Sequence, residues 1–236
     1  MDDDSPSSFM ILAKKRAAVL EYERWAGMGL VLAGAALVAF ILSAPNSGLP
    51  AALIPWLAVL AVALSLVPNF RSGGFLFLLW FPGMTLLGIL VEIAAAALGV
   101  PGARAYGPGL GLALRGVPLV AIPFQLLVLF GALCVARHVF RRDLSASVLA
   151  AAMTVGLDWL ALPVAERFGF WVEPEPLDYA IRLAVGAVVA LSFRILGRRA
   201  KPDAPGLGRC YLPGVALVAT AAFLCALRLA WFFGLG

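Results

Sequence analysis

Residues 153–171 read MTVGLDWLALPVAERFGFW and place a carboxylate, Asp158, in the middle of an apolar segment. An acid in such surroundings must be protonated, paired or hydrated, because an isolated charge in a low-dielectric medium is costly. The segment reads as a membrane-spanning helix, and an ionisable residue at membrane depth marks a functional site by default. Working outward, the only other acid deep inside an apolar run is Glu92, in LLGILVEIAAAAL (86–98). The chain is therefore a polytopic membrane protein with two buried carboxylates.

Composition supports that fold class. With 63% hydrophobic and 13% charged residues and a mean hydropathy of +0.98, too little polar surface exists to clothe a soluble globule of 236 residues. The apolar runs are about 20 residues long rather than alternating ten-residue segments, so the spans are helices and the fold is all-α. Seven segments qualify: 25–43, 50–67, 74–98, 117–136, 145–163, 179–196 and 212–233. Each crosses about 30 Å of hydrocarbon, allowing for tilt. Residues 1–24 form a cytoplasmic tail without the basic start of a cleavable signal peptide. Within it, Phe9 to Arg24 suit a short interfacial helix or a plain juxtamembrane anchor. Residues 25–236 make a single transmembrane helical domain.

Basic residues set the orientation. One side of the bilayer holds Lys14, Lys15, Arg16, Arg24, Arg71, Arg137, Arg141, Arg142, Arg194, Arg198, Arg199, Lys201 and Arg209, which makes 13. The other holds Arg104, Arg115, Arg167 and Arg182, which makes 4, and Arg228 lies within the last span. The positive-inside rule puts the N-terminus in the cytoplasm and the C-terminus outside. The net charge of +5 is spent on topology in short clusters, so no nucleic-acid partner is implied. The expected setting is a bacterial inner (cytoplasmic) membrane.

On the third span, Thr85, Gly88, Ala95, Ala96 and Gly99 share the face of Glu92. On the fifth, Ser147, Ala151, Thr154, Asp158, Ala161 and Ala165 form a similar small stripe. Small faces admit another helix closely, so both stripes are expected to meet in a common interior. Two carboxyls in one dry pocket would hold one proton between them, giving an acid and a base near neutral pH. The plainer alternative is that these acids pair with Arg182 or Arg115 and only fix the fold. In the fourth segment Pro118 and Pro123 predict a kink, and Gln125 either orients a water in a cavity or bonds a neighbouring helix. Most tryptophans suit aromatic-belt anchoring.

Several chemistries are excluded. A single histidine, His138, cannot build a multi-histidine di-iron centre, and no lysine lies in a span to form a Schiff base. Cys134, Cys210 and Cys225 form no CxxC pair, so neither a disulfide framework nor a zinc site follows. The run GPGLGLALRG (107–116) opens no βαβ unit, so it reads as a compact external loop holding Tyr106 near a pocket mouth. No internal repeat relates the two halves, which argues against many transporter architectures.

Glu92, then LGVPGARAY ending at Tyr106, LRGVPLVAIPF around Pro118 and Pro123, and LDWLALPVAERFGFW with Asp158, Pro163 and Trp171 follow one another in an order that resembles the carotenoid biosynthesis membrane-protein family. That family includes the carotenoid 1,2-hydratases such as bisanhydrobacterioruberin hydratase. The resemblance covers residues 75–196. It departs in a shortened turn after the tyrosine and in VEPEPLDYAIRLAVG, which stands where a glycine, asparagine and tryptophan motif is expected. It implies a cofactor-independent hydro-lyase that adds water across the terminal 1,2 double bond of an acyclic carotenoid end. Its implied partners are a lipid-soluble polyene, water, the bilayer and other carotenoid enzymes. Asp158 is expected as proton donor and Glu92 as the water's base, or the reverse, with Tyr106, Trp171, Gln125 and Trp159 around the substrate. The rival readings are a transporter or channel relaying protons or ions through the acids, and an assembly subunit whose acids only pack helices.

Overall fold

The computed structural model describes residues 8–44, 49–72, 74–99, 106–107, 110, 112–171, 175–199 and 211–234. Its helices are α1 (Ser8–Ser43), α2 (Leu49–Ser72), α3 (Gly74–Leu98), α4 (Ala121–Val139), α5 (Asp143–Arg167), α6 (Pro176–Arg199) and α7 (Tyr211–Phe232). Two short strands, β1 (Ala113–Leu114) and β2 (Val117–Pro118), pair antiparallel before α4. The protein is an all-helical bundle, and among the described residues 6 helices are long and apolar enough to cross a membrane.

The helices differ most in how much of each is inside. In α4, 56% of the span is buried, against 11% to 33% for the other five. α4 is thus the central post, and its inward face (Leu126, Leu129, Phe130, Leu133) joins Trp80 of α3 and Phe193 of α6 in the main core. Rows of leucine and valine stay exposed on the outer faces, as at Leu86, Leu90, Val185 and Val188. Such a surface is stable only against hydrocarbon, where exposed aliphatic side chains carry no hydration penalty.

Close helix contact is made through small residues. A Cβ on Gly131 of α4 would lie 2.5 Å from the Pro213 carbonyl oxygen of α7, and one on Gly186 of α6 would lie 3.2 Å from the Ala151 Cβ of α5. The α5–α6 pair is also tied by two ion pairs, Asp143 with Arg194 near one end and Asp158 with Arg182 nearer the other. α6 itself starts with half of a capping box: the Glu175 N–H donates to Asp178 Oδ2 at 2.8 Å, while the Asp178 N–H donates to the Glu175 backbone carbonyl at 2.9 Å, with Pro176 as first helical residue. Replacing Gly131 by alanine is expected to destabilise the bundle by about 1–3 kcal/mol, because the methyl meets backbone rather than a yielding side chain. Denaturant titration of the detergent-solubilised protein measures it.

The helix α1 runs unbroken from Ser8 to Ser43, so the segment Phe9–Arg24 is helical and continues directly into the first span. The sequence expectations for the fourth segment need two corrections. The fourth helix starts at Ala121 rather than 117, because Val117 and Pro118 are committed to the hairpin, whose turn residues Arg115 and Gly116 both have positive φ (50° and 85°). That is the type I′ geometry a two-residue hairpin prefers. Consequently Pro118 precedes the helix, and Pro123 falls in its first turn, where no helical N–H bond is lost and no kink follows. Cys210 lies outside the described residues.

Candidate functional site

Between α1, α2, α4, α5 and α7 lies a cavity of about 290 Å³. It exists because facing positions carry small side chains, among them Ala33, Ala58, Ala61, Ala161 and Ala219. Its wall is apolar apart from a few groups: Gln125 of α4, Thr154 and Asp158 of α5, Thr220 of α7, and Tyr106 and Trp171 from the connections. Asp158 is the one acid in the described lining.

Each polar group is held by local structure. Thr154 and Thr220 donate to carbonyls one turn back, Ala150 at 2.9 Å and Ala216 at 2.7 Å, which leaves their oxygens as acceptors. Gln125 forms no hydrogen bond with a described residue, so its amide is available to a guest. Tyr106 and Trp171 face each other in an antiparallel β-bridge, and the neighbouring Gly107 N–H donates to the Phe170 carbonyl at 2.7 Å. Glycine is required there: a Cβ on Gly107 would lie 1.7 Å from the Gly169 carbonyl oxygen. Two stretches 65 residues apart in sequence are thereby joined beside the cavity. Asp158 accepts from Arg182 Nη1 of α6 at 3.4 Å, and both side chains are 17% exposed. Arg182, on α6, is not part of the described cavity wall.

Of the residues the sequence singled out, the structure gathers Asp158, Tyr106, Trp171 and Gln125 on one cavity. It does not bring Glu92 there. α3 contributes nothing to the described wall. Gly88, one turn before Glu92, packs on Ile122 in the first turn of α4, where a Cβ would come within 2.6 Å. The Glu92 face of α3 therefore points at the start of α4 and the hairpin it contacts, and Ala96 and Gly99 beyond it are exposed. The α5 stripe behaves as expected: Ser147, Ala151 and Ala165 are buried, and Thr154, Asp158, Ala161 and Ala165 line the cavity.

Trp159 is also displaced from its expected role. It is 51% exposed, with the Arg228 guanidinium carbon 3.8 Å from its ring centroid. Arg228 Nη1 further donates to the Trp159 carbonyl at 3.0 Å. Pro163 stands four residues after Trp159 and has no N–H, so that carbonyl lacks its helical partner. Arg228 of α7 fills the vacancy, a device the position of Arg228 inside an apolar span could have suggested. Arg228→Leu is expected to cost about 1–2 kcal/mol with Pro163 present and almost nothing alongside Pro163→Ala, which restores the N–H. A double-mutant cycle on unfolding in detergent reads the coupling.

Compared with protein-family models, curated proteins and solved structures, the chain matches none. The geometry of the cavity must carry the reading.

Proposed function

We propose that this integral membrane protein is a carotenoid hydratase, adding water across the terminal 1,2 double bond of an acyclic polyene whose end enters the cavity. The observation that carries it is an almost wholly apolar cavity within the bundle with one carboxyl group, Asp158, in its described wall. The order of the Glu92, Tyr106, Pro118–Pro123 and Asp158–Trp171 motifs adds its resemblance to the carotenoid 1,2-hydratases. On the scale of an engineered cavity of about 150 Å³ that takes up benzene, 290 Å³ accommodates about a dozen carbon atoms, two or three isoprene units. The rest of a polyene would lie among lipid tails.

The chemistry needs only one carboxyl. With Asp158 protonated and released from its ion pair with Arg182, that proton passes to C2 of the terminal alkene, and the π-electron pair forms the new C–H bond, leaving a tertiary cation at C1. The carboxylate so formed and the rings of Tyr106 and Trp171 stabilise that cation. A water oxygen then bonds to C1, and its surplus proton returns to the carboxylate, restoring the acid. Gln125 can accept a hydrogen bond from that water. Glu92, which the resemblance implies as the water's base or, in the reverse assignment, as the proton donor, takes no part in this step. The orientation that goes with this reading is seven spans, N-terminus in the cytoplasm and C-terminus outside, as the positive-inside rule gives.

A second reading is favoured by one specific contact. Asp158 pairs with Arg182 as Asp143 pairs with Arg194, so both could act only to hold α5 against α6. Expression in a host that accumulates lycopene or gamma-carotene, followed by pigment mass spectrometry, separates the two. A gain of about 18 Da, one water, is the expected result. An unchanged pigment profile with the protein present and folded would rule the hydratase reading out.

A further inference from the structure

The water that captures the C1 cation has to be held inside a wall that is almost wholly hydrocarbon. A buried water needs two or more polar partners to stay in such a place. It must also keep a lone pair turned toward C1, so those partners have to accept its hydrogens rather than donate to its oxygen.

Thr154 meets both conditions. It lines the cavity on α5, one helical turn before Asp158. Its hydroxyl donates to the Ala150 carbonyl at 2.9 Å, so its one hydrogen is spent and its oxygen is left as an acceptor. Among the described residues Thr154 makes no other hydrogen bond. Side chains four residues apart on a helix have Cβ atoms about 5–6 Å apart, and they lean toward the N-terminus, so the Asp158 carboxyl lies over the turn that carries Thr154. A carboxyl oxygen and a spent hydroxyl thus face the cavity as two acceptors one turn apart. A single water, with O–H···O bonds of about 2.7–2.8 Å on each side, bridges oxygens about 5 Å apart and supplies both hydrogens.

The other polar groups of the wall fit this part less well. Gln125, on α4, can accept from a water, but its amide also carries N–H donors that engage the lone pairs of a nucleophile. Thr220 is spent in the same way as Thr154, on the Ala216 carbonyl at 2.7 Å, yet it stands on α7, where no helical spacing ties it to Asp158.

We propose that Thr154 is the positioning residue for the nucleophilic water, holding it between its own Oγ1 and the carboxyl of Asp158. The inference rests on the hydration chemistry proposed above. One carboxyl oxygen delivers its proton to C2, while the other accepts a hydrogen bond from the water. A water lone pair then forms the C1–O bond, and the electrons of the O–H bond directed at Asp158 stay on oxygen as that proton passes to the carboxylate. With no water in position, the cation instead loses a proton from C2 or from a C1 methyl group to the same carboxylate and becomes an alkene again.

That return to alkene supplies the test. The full chain in proteoliposomes is given lycopene in D2O, where each protonation delivers deuterium to C2, and mass spectrometry separates hydrated product from alkene recovered with deuterium. Thr154→Val keeps the shape and removes the acceptor, and it is expected to raise the ratio of deuterated alkene to hydrated product about tenfold, the size of one lost hydrogen bond. Thr154→Ser, which keeps the oxygen, is expected to retain the wild-type ratio, and Asp158→Asn should give neither species. A wild-type ratio in Thr154→Val would overturn the proposal, and so would an equal loss of deuterium uptake and hydration, the mark of structural damage. A shift produced by Gln125→Leu or Thr220→Val but not by Thr154→Val would overturn it as well. Wild-type protein that neither hydrates lycopene nor introduces deuterium would sink the hydration reading itself, and this assignment with it.

Discussion

Asp158→Asn is expected to lower polyene hydration by at least about a hundredfold, the range removal of a positioned general acid commands. The argument is positional. Asp158 is the one carboxyl in the described cavity wall, and an amide of the same shape can neither deliver a proton to an alkene nor take one back. The substitution also leaves Arg182 without its anion, so some loss of stability accompanies it. Activity per folded protein is therefore the quantity to compare, and Asp158→Asn with Arg182→Gln supplies the control that removes the stranded charge. If both variants lose product while the double variant regains normal unfolding behaviour, the loss is chemical. Hydration that survives Asp158→Asn assigns the residue to packing. Glu92→Gln, measured in parallel, is expected to leave the rate unchanged, because α3 adds nothing to the described wall.

These opposite expectations for two acids show what the sequence could and could not reveal. The spans were readable because twenty apolar residues in a row have few other fates, and α3 (Gly74–Leu98) coincides with its expected limits. The start of α4 was not, because the hairpin strands Ala113–Leu114 and Val117–Pro118 are as apolar as a span, and the only local sign was Arg115–Gly116 at the turn. The inward face of α5 was legible from its small stripe. The same argument failed for Glu92, since a small face tells that some helix approaches, not which one. Gly88 is filled by Ile122 of α4, a partner that sequence spacing cannot name. Trp159 was assigned against helix geometry: consecutive residues on a helix do not share a face, so a tryptophan next to an inward Asp158 points elsewhere. The union of Tyr106 and Trp171 was anticipated only in that both were expected at the mouth, while the bridge itself rests on the Gly107–Gly169 approach.

Filling the cavity separates binding from chemistry. Ala161 lies on the wall three residues after Asp158, hence on the same face of α5. Helical side chains lean toward the N-terminus, so an indole at 161 would cover the turn that bears Asp158. An added indole exceeds benzene in size and would occupy at least about half of the 290 Å³. Ala161→Trp is therefore expected to weaken retention of a polyene by the purified protein tenfold or more and to abolish the hydrated product. Stability should hold or rise, since apolar bulk replaces empty space. Ala152→Trp, on an exposed position of the same helix, is the matched control and should change neither. Absorbance of co-purified pigment reports binding independently of turnover. Asp158→Asn should keep the pigment and lose the product, whereas Ala161→Trp should lose both. Pigment retained by Ala161→Trp as by the wild type would place the ligand somewhere other than this cavity, and the role given to Asp158 would fall with it.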